Sequence, residues 1–137
     1  LSKIASGGEM SRIMLAFKKI VGDYDEIPTL IFDEIDAGIS GITASIVGHK
    51  LMQIAENHQV ICITHLPQIA AMADSHYLIE KQSDGAKTAT DVVLLSEEAS
   101  TEELARMLGG VTITDSVLQS AKEMRELAKS VKAALRN

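Results

Sequence analysis

Apolar residues recur at three- and four-residue steps in Met10, Ile13, Met14, Phe17, Ile20 and Val21, which predicts a helix opening at Gly7-Gly8. Ser6 stands at its start with Glu9 three residues on, the spacing of a reciprocal N-terminal cap, and Gly22 is the expected stop. After Pro28 the pattern changes. Thr29-Leu30-Ile31-Phe32 is a short continuous apolar run that ends in Asp33-Glu34, as expected of a buried strand with acids at its carboxyl end. Two glycines mark Asp36 to Gly41 as a loop, and Ile42, Ile46, Val47, Leu51 and Ile54 then predict a second helix, broken at Asn57-His58.

Val60-Ile61-Cys62-Ile63 predicts a second buried strand, ending at Thr64-His65. Pro67 suits the first turn of a short helix through about Ala73. Tyr77 to Lys81 and Thr88 to Leu95 predict two strands joined by a turn at Ser83-Asp84-Gly85. Thr101 with Glu103 nearby marks the start of a helix through Leu108, stopped at Gly109-Gly110. The last helix comes after Thr114, with an apolar seam at Val117, Ala121, Met124, Ala128, Val131 and Leu135. That seam fits a terminal helix packed on its own domain, or a partner helix or coiled coil. Strand, helix, strand, helix, strand in this order predicts an α/β fold with a mainly parallel sheet and flanking helices. Ligands of such sheets sit beyond the carboxyl ends of the strands, where Asp33, Glu34, Thr64 and His65 fall.

Composition narrows the function. With 137 residues, 46 % of them hydrophobic, the chain is one domain or part of one and is not disordered throughout. A net charge of −6 is the opposite of a basic nucleic-acid module, and 3 % aromatics do not build a base-stacking platform. The basic residues Arg12, Lys18, Lys19, Lys122, Arg125, Lys129, Lys132 and Arg136 read as solvated helix faces. One cysteine, Cys62, excludes an internal disulfide framework and a Cys-rich zinc site, and reads as a small buried thiol in a strand. His49, His58 and His76 are scattered without ligand spacing. No apolar run reaches the ~20 residues that span a bilayer, and a cytoplasmic setting is expected.

Three short segments carry candidate chemistry. Adjacent acids at a strand end suit a hydrated Mg²⁺ on one carboxylate and an oriented or deprotonated water on the other. A histidine directly after the next strand can bond a phosphoryl oxygen or line up a nucleophile. Ser6-Gly7-Gly8-Glu9 at a helix start offers a hydroxyl, close backbone approach and free N–H groups to an anion. Each also has a bland reading: solvated acids, an exposed histidine, an ordinary glycine turn with a cap.

Ala5-Ser6-Gly7-Gly8-Glu9, Leu30-Ile31-Phe32-Asp33-Glu34 and Ile63-Thr64-His65 occur in that order at short spacings. As a set they resemble the signature motif, the Walker B strand with its catalytic acid, and the switch histidine of the ATP-binding-cassette ATPases. Phe32 to Gly41, Thr64 to Ala70 and Ala105-Arg106-Met107-Leu108-Gly109-Gly110 are similar to the head domain of SMC-like bacterial DNA-repair ATPases. The resemblance implies the C-terminal half of a P-loop ATPase head ending in a β-hairpin and helices, a single partial domain over residues 1–137. It opens at Leu1 inside a motif, and no Gly-x-x-x-x-Gly-Lys-Ser/Thr phosphate loop occurs in it.

The same resemblance implies roles for the site residues. Ser6, Gly7, Gly8 and Glu9 would touch the γ-phosphate of an ATP held by the opposite subunit. Asp33 would hold Mg²⁺ through water, Glu34 would act as base or water-orienting group, and His65 would contact the γ-phosphate. Ala37, Gly38, Ile39 and Ser40 would form the D-loop, where Ser40 replaces the superfamily's aspartate. The implied partners are a second head across ATP, the N-terminal lobe and coiled coil of the same chain, and DNA, with no membrane; the setting is the bacterial nucleoid. The family's sheet order also implies a gap, an altered pairing or an exchanged strand between the strand ending at Thr64 and the one starting near Tyr77. Rival readings are a cassette head for chromosome organisation or transport, a phosphoacceptor receiver (Asp33, Thr64, Lys81), and a metal-dependent phosphohydrolase (Asp33, Glu34, Asp36, His65).

Overall fold

The reciprocal Ser6/Glu9 cap starts the first helix, α1 (Gly7–Val21), in a computed structural model that describes residues 6–21, 27–83 and 88–135. Gly22, the expected turn at Asp84-Gly85, the segment 1–5 and Arg136 lie outside the described residues. The chain continues through β1 (Thr29–Phe32), α2 (Gly41–Ile54), β2 (Gln59–Cys62), α3 (Pro67–Ala70), β3 (Tyr77–Ser83), β4 (Thr88–Leu94), α4 (Glu97–Gly109) and α5 (Asp115–Leu135). None of the described helices is long and apolar enough to cross a membrane.

Two separate two-stranded sheets form among the described residues. Strands β1 and β2 run parallel, with Thr29 opposite Gln59 and Phe32 opposite Cys62. Strands β3 and β4 form an antiparallel hairpin, with Tyr77 opposite Leu94. The parallel component is thus a single pair, and β2 does not bond to β3, which is the gap among the three outcomes implied by the resemblance. Parallel pairing leaves the carboxyl ends of β1 and β2 side by side, which brings residues 33–34 next to residues 63–65.

The apolar strand runs predict burial on both faces, but the structure covers only one. Leu30 and Phe32 join Leu15, Ile35, Ala44, Val47, Leu51, Ile54 and Ile69 in one core, with Val60 and Cys62 packed against it. Their neighbours Ile31, Ile61 and Ile63 point the other way and are exposed, Ile31 by 68 %, because successive strand side chains alternate faces. The periodic face of α1 is also uncovered: Met10, Ile13, Met14, Phe17 and Ile20 are all exposed, and among its described apolar side chains Leu15 alone enters the core. Periodicity reports that a helix has an apolar face, not what covers it.

A second core gathers Ala70, Ala71, Leu104, Ala105 and Ala121, with Val117, Leu118 and Met124 packed against it. The seam of α5 therefore packs on α4 and α3 of its own chain. Helix α4 starts earlier than expected. Its cap is Ser96, whose Oγ accepts from the Ala99 amide, and Thr101 instead donates back to the Glu97 carbonyl as a mid-helix threonine does.

Buried Ser100 of α4 links α5 to the residue just before β3. Its hydroxyl lies 2.8 Å from His76 Nδ1 and accepts from Arg125 Nη1 at 2.5 Å. Arg125 is therefore not on a solvated face, and neither are buried Lys18 and half-buried Arg12. Burial lowers the pKa of His76, Glu103 opposes that shift and Arg125 reinforces it. The unfolded chain then binds a proton more readily than the folded one, so this contribution is full above the ordinary histidine value and falls as pH drops through the folded-state value. Urea midpoints from pH 7.5 down to 5.5 should fall more steeply in the wild type than in His76→Gln.

Candidate nucleotide-hydrolysis site

The site is assembled where α1 meets the loop after β1. Ser6 N donates to Glu9 Oε2 at 2.9 Å and Glu9 N donates to Ser6 Oγ at 3.3 Å. The Ser6 bonds, backbone first, hold the Glu9 carboxyl below its usual range. With its oxygen already accepting, the Ser6 hydroxyl keeps its hydrogen for another acceptor.

The first turns of α1 are bonded to the loop. Ser11 Oγ donates to the Asp33 carbonyl at 2.9 Å, and Arg12 Nη1 donates to the carbonyls of Ile35 and Ala37, both at 2.9 Å. The two glycines allow this approach. A Cβ on Gly8 would lie 2.7 Å from the Glu34 carbonyl oxygen and 2.8 Å from Ala37 Cβ, and one on Gly7 would lie 2.7 Å from Glu34 Oε2. Gly7 and Gly8, 27 and 26 positions from Glu34 in sequence, are therefore its neighbours within one chain.

Asp33 and Glu34 are both exposed at the end of β1. Glu34 has φ of 54°, the one described non-glycine residue with positive φ. The left-handed region costs a residue with a Cβ free energy, and such strain persists where surrounding structure enforces it. Ile35 anchors the loop, fully buried in the first core between Glu34 and Asp36. Ala37 and Ile39 are half-buried, Gly38 and Ser40 exposed; Ser40 holds the N-cap position of α2 without a side-chain capping bond.

Asp36, which the sequence offered only as one acid of the rival phosphohydrolase reading, has a different place in the structure. It is buried, and its Oδ2 accepts from Thr64 Oγ1 at 2.5 Å and from the His65 amide at 2.8 Å, with His65 Nδ1 3.0 Å away. Burial pushes its carboxyl pKa up, but the bonds from Thr64 and His65 outweigh this and the net value lies below the usual range. No local signal identifies Asp36, since its partners come 28 and 29 positions later. Cys62 is half-buried beneath this site, and burial, then Asp36 and Asp33, push its thiol up to about 12, an unreactive state at neutral pH.

Asp33 offers a hard oxygen donor of the kind Mg²⁺ takes together with waters and phosphate oxygens. Among the described residues, no group of three or more His, Cys, Asp or Glu could hold a metal with protein ligands alone.

No family model matches the chain. It is 47 % identical over 132 residues to the DNA repair protein RecN of Halalkalibacterium halodurans, 96 % of this chain and 23 % of that protein. It is 46 % identical over 132 residues to RecN of Bacillus subtilis and 50 % identical over 127 residues to RecN of Haemophilus influenzae. The chain thus spans 23 % of the length of these curated relatives. A solved structure from work on ATP-driven dimerization and DNA-stimulated activation of SMC ATPases matches its fold with a TM-score of 0.59 at 27 % identity, covering 79 % of this chain and 65 % of that one.

Proposed function

We propose that this chain, which is similar to RecN over 96 % of its length and to a solved SMC ATPase structure in fold, supplies the signature loop, acid pair and switch histidine of an ATPase acting in DNA double-strand break repair and recombination. The observation that carries this reading is the bonding of α1 to the loop after β1 by Ser11 and Arg12, with Gly7 and Gly8 against Glu34 and Ala37. It makes one unit of two motifs that a cassette ATPase must coordinate.

In this reading residues 1–137 are a single partial domain, the C-terminal lobe of a head, and ATP with Mg²⁺ is its cofactor. Ser6, Gly7, Gly8 and Glu9 face the γ-phosphate on a second head. Asp33 holds Mg²⁺ through water, Glu34 orients or deprotonates the attacking water, and His65 bonds the γ-phosphate. Ala37, Gly38, Ile39 and Ser40 form the D-loop, with a hydroxyl where a carboxylate is usual. The bound metal supplies charge stabilisation on the phosphate oxygens. The rest of the catalysis is positioning by these side chains. The N-terminal lobe of the same chain covers apolar residues such as Ile31 and Phe17, which are exposed here. Full-length partners are that lobe, a coiled coil and DNA, in a cytoplasmic, nucleoid setting.

The sequence holds no phosphate loop. On its own the chain should therefore hydrolyse ATP no faster than its Glu34→Gln variant. Mixed with a polypeptide carrying the phosphate-loop lobe, it should gain turnover that Glu34→Gln lowers by about 10²-fold or more. Equal steady-state rates for the wild type and Glu34→Gln in the mixture would overturn the assignment of Glu34. Fast turnover by the chain alone would overturn the dependence on a second lobe.

A further inference from the structure

We propose that Asp36 is the positioning residue of His65, fixing its ring in the Nδ1–H form so that Nε2 is the nitrogen presented at the site. The inference deepens the proposed function and rests on it only for the claim that His65 meets phosphate.

The geometry converges on one atom. Asp36 Oδ2 lies within hydrogen-bond distance of Thr64 Oγ1, the His65 amide and His65 Nδ1, at 2.5, 2.8 and 3.0 Å. The first two are hydrogen bonds, from the Thr64 hydroxyl and the His65 amide, that tie residues 64–65 to the loop after β1; the third is a contact that places the ring nitrogen against the same carboxylate oxygen. Asp36 is only 3 % exposed, whereas the His65 side chain is 74 % exposed. One end of the ring is therefore anchored on a buried carboxylate while the rest stands in solvent. An ionised carboxylate only accepts, so the ring nitrogen beside it must carry a proton. In the neutral ring the second nitrogen is then bare.

The anchor is itself held. Thr64 Oγ1, while donating to Asp36, accepts from the Leu66 amide at 3.1 Å. The preceding residue, Ile35, is fully buried, and its carbonyl accepts from Arg12. Through this chain of contacts the signature helix α1, the loop after β1 and the histidine share one support. Thr64 has no other part in the proposed chemistry, and its hydroxyl is explained by this role.

The test is a spectroscopic readout on the chain itself, without nucleotide. Long-range ¹H–¹⁵N correlations on the ¹⁵N-labelled chain near pH 8, where free histidine is neutral, report which nitrogen of each ring is protonated. His65 should show protonated Nδ1 and bare Nε2. Asp36→Ala should lose that signature, and Asp36→Asn, whose amide oxygen can still accept, should retain it. Thr64→Ser should leave it unchanged. A wild-type ring protonated at Nε2 overturns the proposal, as does an unchanged Nδ1–H signature in folded Asp36→Ala. Should Asp36→Ala not fold, the wild-type ring and Asp36→Asn still decide: loss of the signature in folded Asp36→Asn also counts against it. An Nδ1–H ring in a chain that never supports ATP hydrolysis would overturn the proposed function and leave the role of Asp36 standing.

Discussion

Replacing Ile35 by alanine should lower the unfolding free energy by about 2–5 kcal/mol, the range for truncating a fully buried aliphatic side chain. Ile35 is one of the largest side chains with no exposure, and it packs among Leu15, Leu30, Phe32 and Leu51. The loss combines the transfer free energy of the removed carbons with a cavity that the surrounding helices fill only in part. Ile35→Val should cost about 0.5–1.5 kcal/mol by the same reasoning. Ile31, four positions earlier and outward-facing, is the control. Its truncation should change stability by no more than about 0.5 kcal/mol. Urea denaturation of the three variants measures this ordering, and an Ile31→Ala loss equal to that of Ile35→Ala would contradict the assignment of faces in β1. Ile35 lies between Glu34 and Asp36, so the same truncation should also loosen the site.

The second large effect separates two adjacent glycines. Gly8→Ala should destabilise by about 1–3 kcal/mol, because its new methyl meets a backbone oxygen and a methyl group that cannot swing aside. Gly7→Ala should change stability far less. The atom its methyl meets is Glu34 Oε2, the end of a flexible side chain, and alanine is the better helix former. Its effect should fall on Glu34 instead, by displacing the carboxylate. Thermal midpoints distinguish the two: a Gly7→Ala loss as large as that of Gly8→Ala would mean that α1 does not approach the loop as described.

Legibility from sequence tracked the range of the interaction. The Ser6/Glu9 cap involves residues three apart, and both bonds form as expected. The acids after β1 and the histidine after β2 were legible because a strand end is marked by where an apolar run stops. Thr101 misled because Ser96 caps from five positions earlier, in a segment where several hydroxyl and acidic residues could serve. Arg12 and Arg125 were misread, and Asp36 was given only a rival role, for a different reason. Their partners are carbonyls, a serine and a histidine 23 to 29 positions away, and only the folded chain reveals those. The exposed faces of α1 and β1 show the same limit, since hydrophobicity measures a tendency to be covered rather than the identity of the cover.

The left-handed backbone at Glu34 has an evolutionary corollary. Glycine at that position would relax the main chain at no steric cost, and asparagine at less cost than glutamate. Each would discard the carboxylate while sparing the fold. Variants selected for thermal robustness alone should therefore drift toward such residues at position 34, and a glutamate retained against that drift would be a record of selection for chemistry over durability.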